Sequence, residues 1–214
     1  VCGSYSNYQL IARVNNLPCK AKMMDSTHPL LAGKVIYSLN KMINAIACAD
    51  MNDDAYPDVI IGTNSGLYLL TNDNGTLNNA NKIHDKAVYS MVVAENDEYD
   101  TNIICGSDSG LLSVLKMNGT QTVSIQNISV GSTDKIKHVA VGNVDGNIYP
   151  DIVCADNSNL YLVGNYTIEP DIKTIASANV YSLKIKDIND DSIDEIIYSK
   201  RTRVIIYGID ALPF

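Results

Sequence analysis

Residues Asp50 to Leu70 read DMNDDAYPDVIIGTNSGLYLL. A polar nonapeptide with oxygen-bearing side chains at Asp50, Asn52, Asp54 and Asp58 runs into an apolar stretch, a tight turn at Asn64-Ser65-Gly66 and a second apolar stretch. The order is loop, strand, turn, strand. The pattern returns at an offset of 44 as AENDEYDTNIICGSDSGLLSVL (Ala94 to Leu115), at 93 as NVDGNIYPDIVCADNSNLYLV (Asn143 to Val163) and at 137 as DINDDSIDEIIYSKRTRVIIY (Asp187 to Tyr207). A β-rich repeat of this period points to propeller blades rather than helical arrays.

Each copy is preceded by an apolar strand, at Ile46 to Ala49, Ser90 to Val93, His138 to Gly142 and Tyr181 to Ile185. In the first two copies the strand after the turn ends at the same Asn-Gly-Thr, Asn74 to Thr76 and Asn118 to Thr120. Asn-Gly favours hairpins because both residues tolerate positive φ. Fourth strands are expected near Ala80 to Ile83 and Val123 to Ile128. The second and third strands, such as Val59-Ile60-Ile61 and Leu67-Tyr68-Leu69-Leu70, are apolar on both faces, as in sheets covered on both sides.

The fold class expected is all-β, a β-propeller of four-stranded blades and about five blades at ~43 residues each. One domain spans 1–214, with repeats at 43–86, 87–135, 136–179 and 180–214. Residues 1–42 lack the loop and form a degenerate blade or the strands that close a ring. Tyr5 to Val14 and Val35 to Leu39 are its strands, the first available to complete the last blade.

The loops carry the chemistry. Hard divalent cations such as calcium take six to eight oxygen ligands, and alternate residues of a tight loop can face one ion. Asp50, Asn52, Asp54 and Asp58 stand at loop positions 1, 3, 5 and 9, with the Tyr56 carbonyl at position 7. The fourth copy offers Asp187, Asn189, Asp191, the Ile193 carbonyl and Glu195; the third offers Asn143, Asp145, Asn147, the Tyr149 carbonyl and Asp151. The second copy has Ala94, Asn96, Glu98 and Asn102 and is expected to be metal-free or weak. An EF-hand is excluded, because its position-12 glutamate is here Ile61 or Tyr198, inside strands.

The pattern D-x-N-x-D-x-x-x-D before an apolar strand, with its variant DINDDSIDEII, resembles the FG-GAP or VCBS repeats of integrin α-subunit propellers and many secreted adhesins. The resemblance covers residues 43 to 207. It implies a propeller with Ca2+ in the hairpin between the first two strands of a blade, and binding work outside the cell or at its surface. Gly, frequent at loop position 6 of that family, is replaced by Ala55, Ile148 and Ser192, and the Phe-Gly and Gly-Ala-Pro segments are absent. Kinship is nearer the VCBS type.

Composition narrows the function. A net charge of -8 argues against a nucleic-acid surface, which needs clustered Lys and Arg. No apolar run approaches the length of a membrane helix, so membrane insertion is not expected. Cys48, Cys105 and Cys154 read as small buried hydrophobes, while Cys2 and Cys19 are the pair available for a disulfide in an oxidising compartment. Sequons at Asn74, Asn118, Asn127 and Asn165 are compatible with glycans and no more frequent than chance. Asp108-Ser109-Gly110 aligns with the other turns and is not a hydrolase motif. His28, His84 and His138 are scattered without partners at catalytic spacing.

An enzyme is not expected. The leading reading is a calcium-stabilised extracellular or cell-surface module for protein binding or adhesion. Alternatives are a carbohydrate-binding propeller lectin with glycan sites between blades, and an architectural domain sharing its ends with other chains.

Overall fold

The computed structural model describes residues 2–4, 9–11, 37–95 and 101–208, with side chains for 37–94 and 101–208. Every regular element among them is a β-strand. The leading residues give β1 (Cys2–Ser4), β2 (Gln9–Ile11) and β3 (Tyr37–Ser38), a three-stranded sheet in which β2 pairs with both neighbours. The stretch expected to complete the last blade therefore contributes β2 to this sheet.

From Ile43 the repeats fold as antiparallel meanders. The first is β4 (Ile43–Ala49), β5 (Asp58–Thr63), β6 (Gly66–Leu70) and β9 (Asn81–His84), with a ribbon of β7 (Asn72–Asp73) and β8 (Thr76–Leu77) before its fourth strand. The second is β10 (Ser90–Glu95), β11 (Thr101–Gly106), β12 (Leu111–Asn118) and β13 (Gln121–Ser129). The third is β14 (His138–Gly142), β15 (Asp151–Ala155), β16 (Asn159–Gly164) and β17 (Asp171–Ser177). The fourth, among the described residues, is β18 (Ser182–Lys186), β19 (Glu195–Lys200) and β20 (Arg203–Tyr207). The fold is a β-propeller, and the repeats supply four blades.

Turn chemistry sets the boundaries. Asn74 (φ 48°) and Gly75 (φ 90°) both occupy the left-handed region and close the β7–β8 ribbon, so this Asn-Gly heads a separate hairpin instead of ending the third strand. In the second repeat the strand does run to Asn118, and Gly119 turns the chain directly into β13. At the Asp108-Ser109-Gly110 turn Ser109 and Gly110 have φ of 56° and 63°, and a Cβ on Gly110 would lie 2.6 Å from the Ser132 carbonyl oxygen. Only glycine combines that conformation with that approach.

The chain forms two compact units, one of residues 1–88, 95–102 and 115–125 and the other of 89–94, 103–114 and 126–214. In the first, Ile61 and Leu70 are fully buried beneath Tyr37, Leu39, Ile46, Val59 and Tyr68. In the second, one cluster joins Ile104, Leu112 and Ile128 to Ile152, Cys154 and Val163, and another joins Val153, Leu160 and Ala178 to Leu183, Ile196 and Tyr198. The central strands are buried on both faces, β15 along its whole length. Each aliphatic side chain enclosed this way contributes about 2 kcal/mol.

Cys105 and Cys154 are buried as expected, and burial pushes the Cys105 thiol up to about 12 and Cys154 in the same direction. Cys48 is instead exposed, at a strand position whose neighbour Ala49 turns inward. Cys2 lies in β1, whereas Cys19 lies outside the described residues. His84 and His138 pack, the latter with Nε2 3.0 Å from the Val180 carbonyl oxygen; His28 is outside the described residues.

Candidate metal-binding loops

Each loop joins the first two strands of a blade. In the first, Asp50 turns back over its own loop: Oδ1 accepts the Asn52 and Asp54 N–H groups at 3.4 and 3.2 Å, and Oδ2 accepts the Ala55 N–H at 2.7 Å. Asp187 repeats this with the N–H groups of Asn189 (3.3 Å), Asp190 (2.7 Å) and Ser192 (2.9 Å). The wrapping requires two left-handed residues per loop, Asp53 and Ala55 (φ 58° and 68°) in the first and Asp190 and Ser192 (61° and 71°) in the fourth. In the third, the Asn143 side chain accepts one N–H, from Gly146 (φ 77°) at 2.9 Å, and Ile148 does not take up positive φ.

In the first, third and fourth loops positions 3 and 5 are one Asp and one Asn, and the amide donates to the carboxylate: Asn52 to Asp54 at 3.0 Å, Asn147 to Asp145 at 2.6 Å, Asn189 to Asp191 at 3.0 Å. The expected carbonyl ligands Tyr56, Tyr149 and Ile193 at position 7 each give their N–H to the residue two before, at 2.8, 2.6 and 2.8 Å.

Position 9 differs in kind. Asp58 and Asp151 are fully buried and Glu195 nearly so. Asp58 accepts the Met51 N–H at 3.0 Å and the Asn72 N–H at 2.7 Å; Asp151 accepts those of Val144 at 3.1 Å and Asn165 at 3.3 Å. Glu195 takes the Ile188 N–H at 3.0 Å and the Asn189 amide at 3.2 Å. Burial raises the carboxyl pKa of Asp58 and Asp151, outweighing their N–H donors, and the charges of Asp54 and Asp50 on Asp58, and of Asp145 on Asp151, push the same way.

Asp194, at position 8 where other copies have Pro57 and Pro150, plays a part the sequence reading overlooked. Its carboxylate accepts the Asp187 N–H at 2.7 Å and the Asn143 N–H at 2.9 Å, and its own N–H donates to the Asn143 carbonyl at 2.7 Å. Asp194 thus ties the third loop to the fourth.

The donor set suits a hard cation, with three carboxylates at the ligand positions of the first and fourth loops and two at those of the third. The arrangement itself is self-capped: among the described residues no group of three or more His, Cys, Asp or Glu side chains converges as a metal cage. Of the second loop, Asn96 and Glu98 lie outside the described residues, Ala94 ends half-buried in β10 and Asn102 is buried in β11. The sequon asparagines Asn74, Asn118 and Asn127 are exposed, while Asn165 is half-buried, with Oδ1 3.3 Å from the Asn147 amide.

No family model and no curated protein matches the chain. Among solved structures it is similar to BBS1N crystallised in complex with ARL6DN and soaked with lead (TM-score 0.58, 12% identity over 84% of this chain and 56% of that one). The mercury-soaked crystal of the same complex gives a TM-score of 0.60 and 10% identity over 85% and 57%. The chain thus spans little more than half the length of these propellers. The match shows a propeller fold and not calcium repeats in particular. It also corrects the expected extracellular or cell-surface location: the matched propellers are BBS1N–ARL6DN complexes rather than integrin-type or secreted adhesins, and that location is withdrawn.

Proposed function

We propose that the chain is a non-catalytic β-propeller module that binds another protein. The observation carrying this reading is the likeness to BBS1N, a propeller crystallised with a protein partner, ARL6DN. The test is to recover the tagged chain natively from its source cells, purify the partner found and titrate it against the purified chain, with a glycan array in parallel. Saturable binding to the protein with a blank array supports the reading. Sugar-inhibitable array signals without protein binding would overturn it.

The first and fourth loops are proposed to accept calcium. Each places three carboxylates at ligand positions within nine residues, and the ion pairs among the described residues, Lys82–Asp85, Lys135–Asp108 and Lys173–Asp171, involve none of them. Asp50, Asp54 and Asp58, like Asp187, Asp191 and Glu195, would hold the ion, which would neutralise their mutual repulsion. At a hundredfold excess over its dissociation constant one bound ligand adds about 2.7 kcal/mol of stability. The expected result is a melting temperature that rises with calcium, not magnesium, relative to EGTA. Asp50→Ala and Asp187→Ala should each remove part of that rise, and a flat titration would mean that the loops are self-capped turns.

A further inference from the structure

The third and fourth loops belong to the same compact unit, and within it Asp194 holds both main-chain polar groups of Asn143. Its carboxylate accepts the Asn143 N–H at 2.9 Å, and its own N–H donates to the Asn143 carbonyl at 2.7 Å. The other carboxylate oxygen takes the Asp187 N–H at 2.7 Å. Asn143 and Asp187 stand at position 1 of the third and fourth loops, so one residue fixes the head of each. The third blade makes room for it. A Cβ on Gly142 would lie 2.6 Å from Asp194 Oδ2, and the first and second repeats carry Ala49 and Val93 at that place. Position 8 of the first loop cannot make such a tie, because Pro57 offers neither a carboxylate nor an N–H.

From this geometry we infer that calcium taken up by the fourth loop orders the third loop as well, with Asp194 as the positioning residue that carries the effect. The inference rests on the calcium reading of the fourth loop and adds the control that this loop exerts over its neighbour. The path runs through a single peptide group. The Ile193 carbonyl, a ligand by its place in the loop, and the N–H that Asp194 gives to Asn143 are the two sides of the Ile193–Asp194 peptide, which is planar and rigid. Drawing that oxygen to a cation fixes the plane and polarises the N–H on the far side, and hydrogen bonds linked in this way strengthen one another. Residue 194 also stands between two ligand positions, Ile193 and Glu195, so its carboxylate loses freedom when they do. Ile193 adds a packing contact, since a Cβ on Gly146 of the third loop would sit 3.2 Å from its Cδ1.

The test is amide hydrogen exchange of the full chain over residues 143–149 and 187–193, each protein compared with itself in excess calcium and in EGTA. In the native chain calcium should slow both stretches, the third loop by about fivefold or more, the lower end of ordinary coupling between sites. Asp194→Ala should keep the slowing in the fourth loop and lose it in the third. Asp191→Asn removes a ligand charge while leaving a side-chain oxygen to accept the Ile193 N–H, and should lose both. Should Asp194→Ala fail to melt cooperatively, Gly142→Ala takes its place, because the added methyl crowds the Asp194 carboxylate from the third blade. Third-loop slowing that survives in Asp194→Ala or Asp191→Asn overturns the inference, since the third loop is then answering an ion of its own. Slowing confined to the fourth loop of the native chain also overturns it and leaves the calcium reading standing. No slowing in either loop removes the calcium reading and the inference together.

Discussion

Position 9 of the loop does different work in the first and third repeats from what it does in the fourth. Asp58 and Asp151 each hold the loop with one oxygen and, with the other, a main-chain N–H fourteen residues further on, at Asn72 and Asn165, just beyond the third strand. Glu195 has one more methylene and spends its second oxygen on Asn189 within its own loop. The aspartates tie the first loop of a blade to the end of the third strand of the same blade. The glutamate is a local cap.

This contrast predicts the largest single-site effect. Asp58→Ala leaves two buried N–H groups without an acceptor, at about 1–3 kcal/mol each, so urea unfolding in EGTA should show a loss of about 3 kcal/mol or more. Glu195→Ala orphans one backbone N–H and an amide that keeps its bond to Asp191, and should lose about half as much. Equal losses would show that the link to Asn72 contributes nothing beyond the loop.

Asp194 sharpens the comparison between the third and fourth repeats, because it is their direct tie. Asp194→Ala frees the N–H groups of Asn143 and Asp187, both half-buried, at an expected cost of about 2 kcal/mol. Amide hydrogen exchange should quicken in both loops together. Quickening in the fourth loop alone would mean that the bond to Asn143 carries no weight.

The repeats were legible because their punctuation is local: a polar loop, an aliphatic strand and a Gly or Asn turn all fall within about twenty residues. The loop frame was legible for the same reason, with Asp50 and Asp187 at its head. The reach of Asp58 to Asn72 was not, since it crosses two strands and depends on their register. Asp194 did leave a signal, an ionisable residue where two other copies have proline, but position 8 is not a ligand position and the substitution passed as variation. Exposure of Cys48 follows from which face of β4 turns inward, and a run as uniform as Ile46-Ala47-Cys48-Ala49 does not encode that.

A smaller effect is expected from the backbone of the same loops. Ala55 and Ser192 hold left-handed conformations that cost a side-chain-bearing residue roughly 1–2 kcal/mol, so Ala55→Gly and Ser192→Gly should raise stability by about 1 kcal/mol. Gly146 shares that region in the third loop, and an added Cβ would sit 3.2 Å from Ile193 Cδ1. Gly146→Ala should lower stability by a similar amount. A fall in melting temperature for Ala55→Gly would show that restricting the unfolded chain outweighs relief of strain.

Titration divides the buried carboxylates in a second way. Burial drives Asp151 upward despite its N–H donors. Burial also works to raise Asp156, but its bonds from Ser132 (2.5 Å), the Ser158 and Asn159 N–H groups (both 2.7 Å) and Tyr161 (3.0 Å) prevail, and its pKa is lowered. For Asp151 the folded state holds its proton more tightly than the unfolded chain, so the charge costs stability as pH rises from the ordinary carboxylate value, about 4, through the raised one. For Asp156 the sign reverses: its contribution is complete above that value and is lost as pH falls through the lowered one. Urea unfolding in EGTA between about pH 3 and 6 should show the advantage of the native chain over Asp151→Asn shrinking as pH rises. Its advantage over Asp156→Asn should grow over the same climb, each trend limited to about 1.4 kcal/mol per pH unit. Parallel trends would mean that the N–H groups of Val144 and Asn165 stabilise the Asp151 anion as fully as the Asp156 network does its own, and that burial does not separate the two sites.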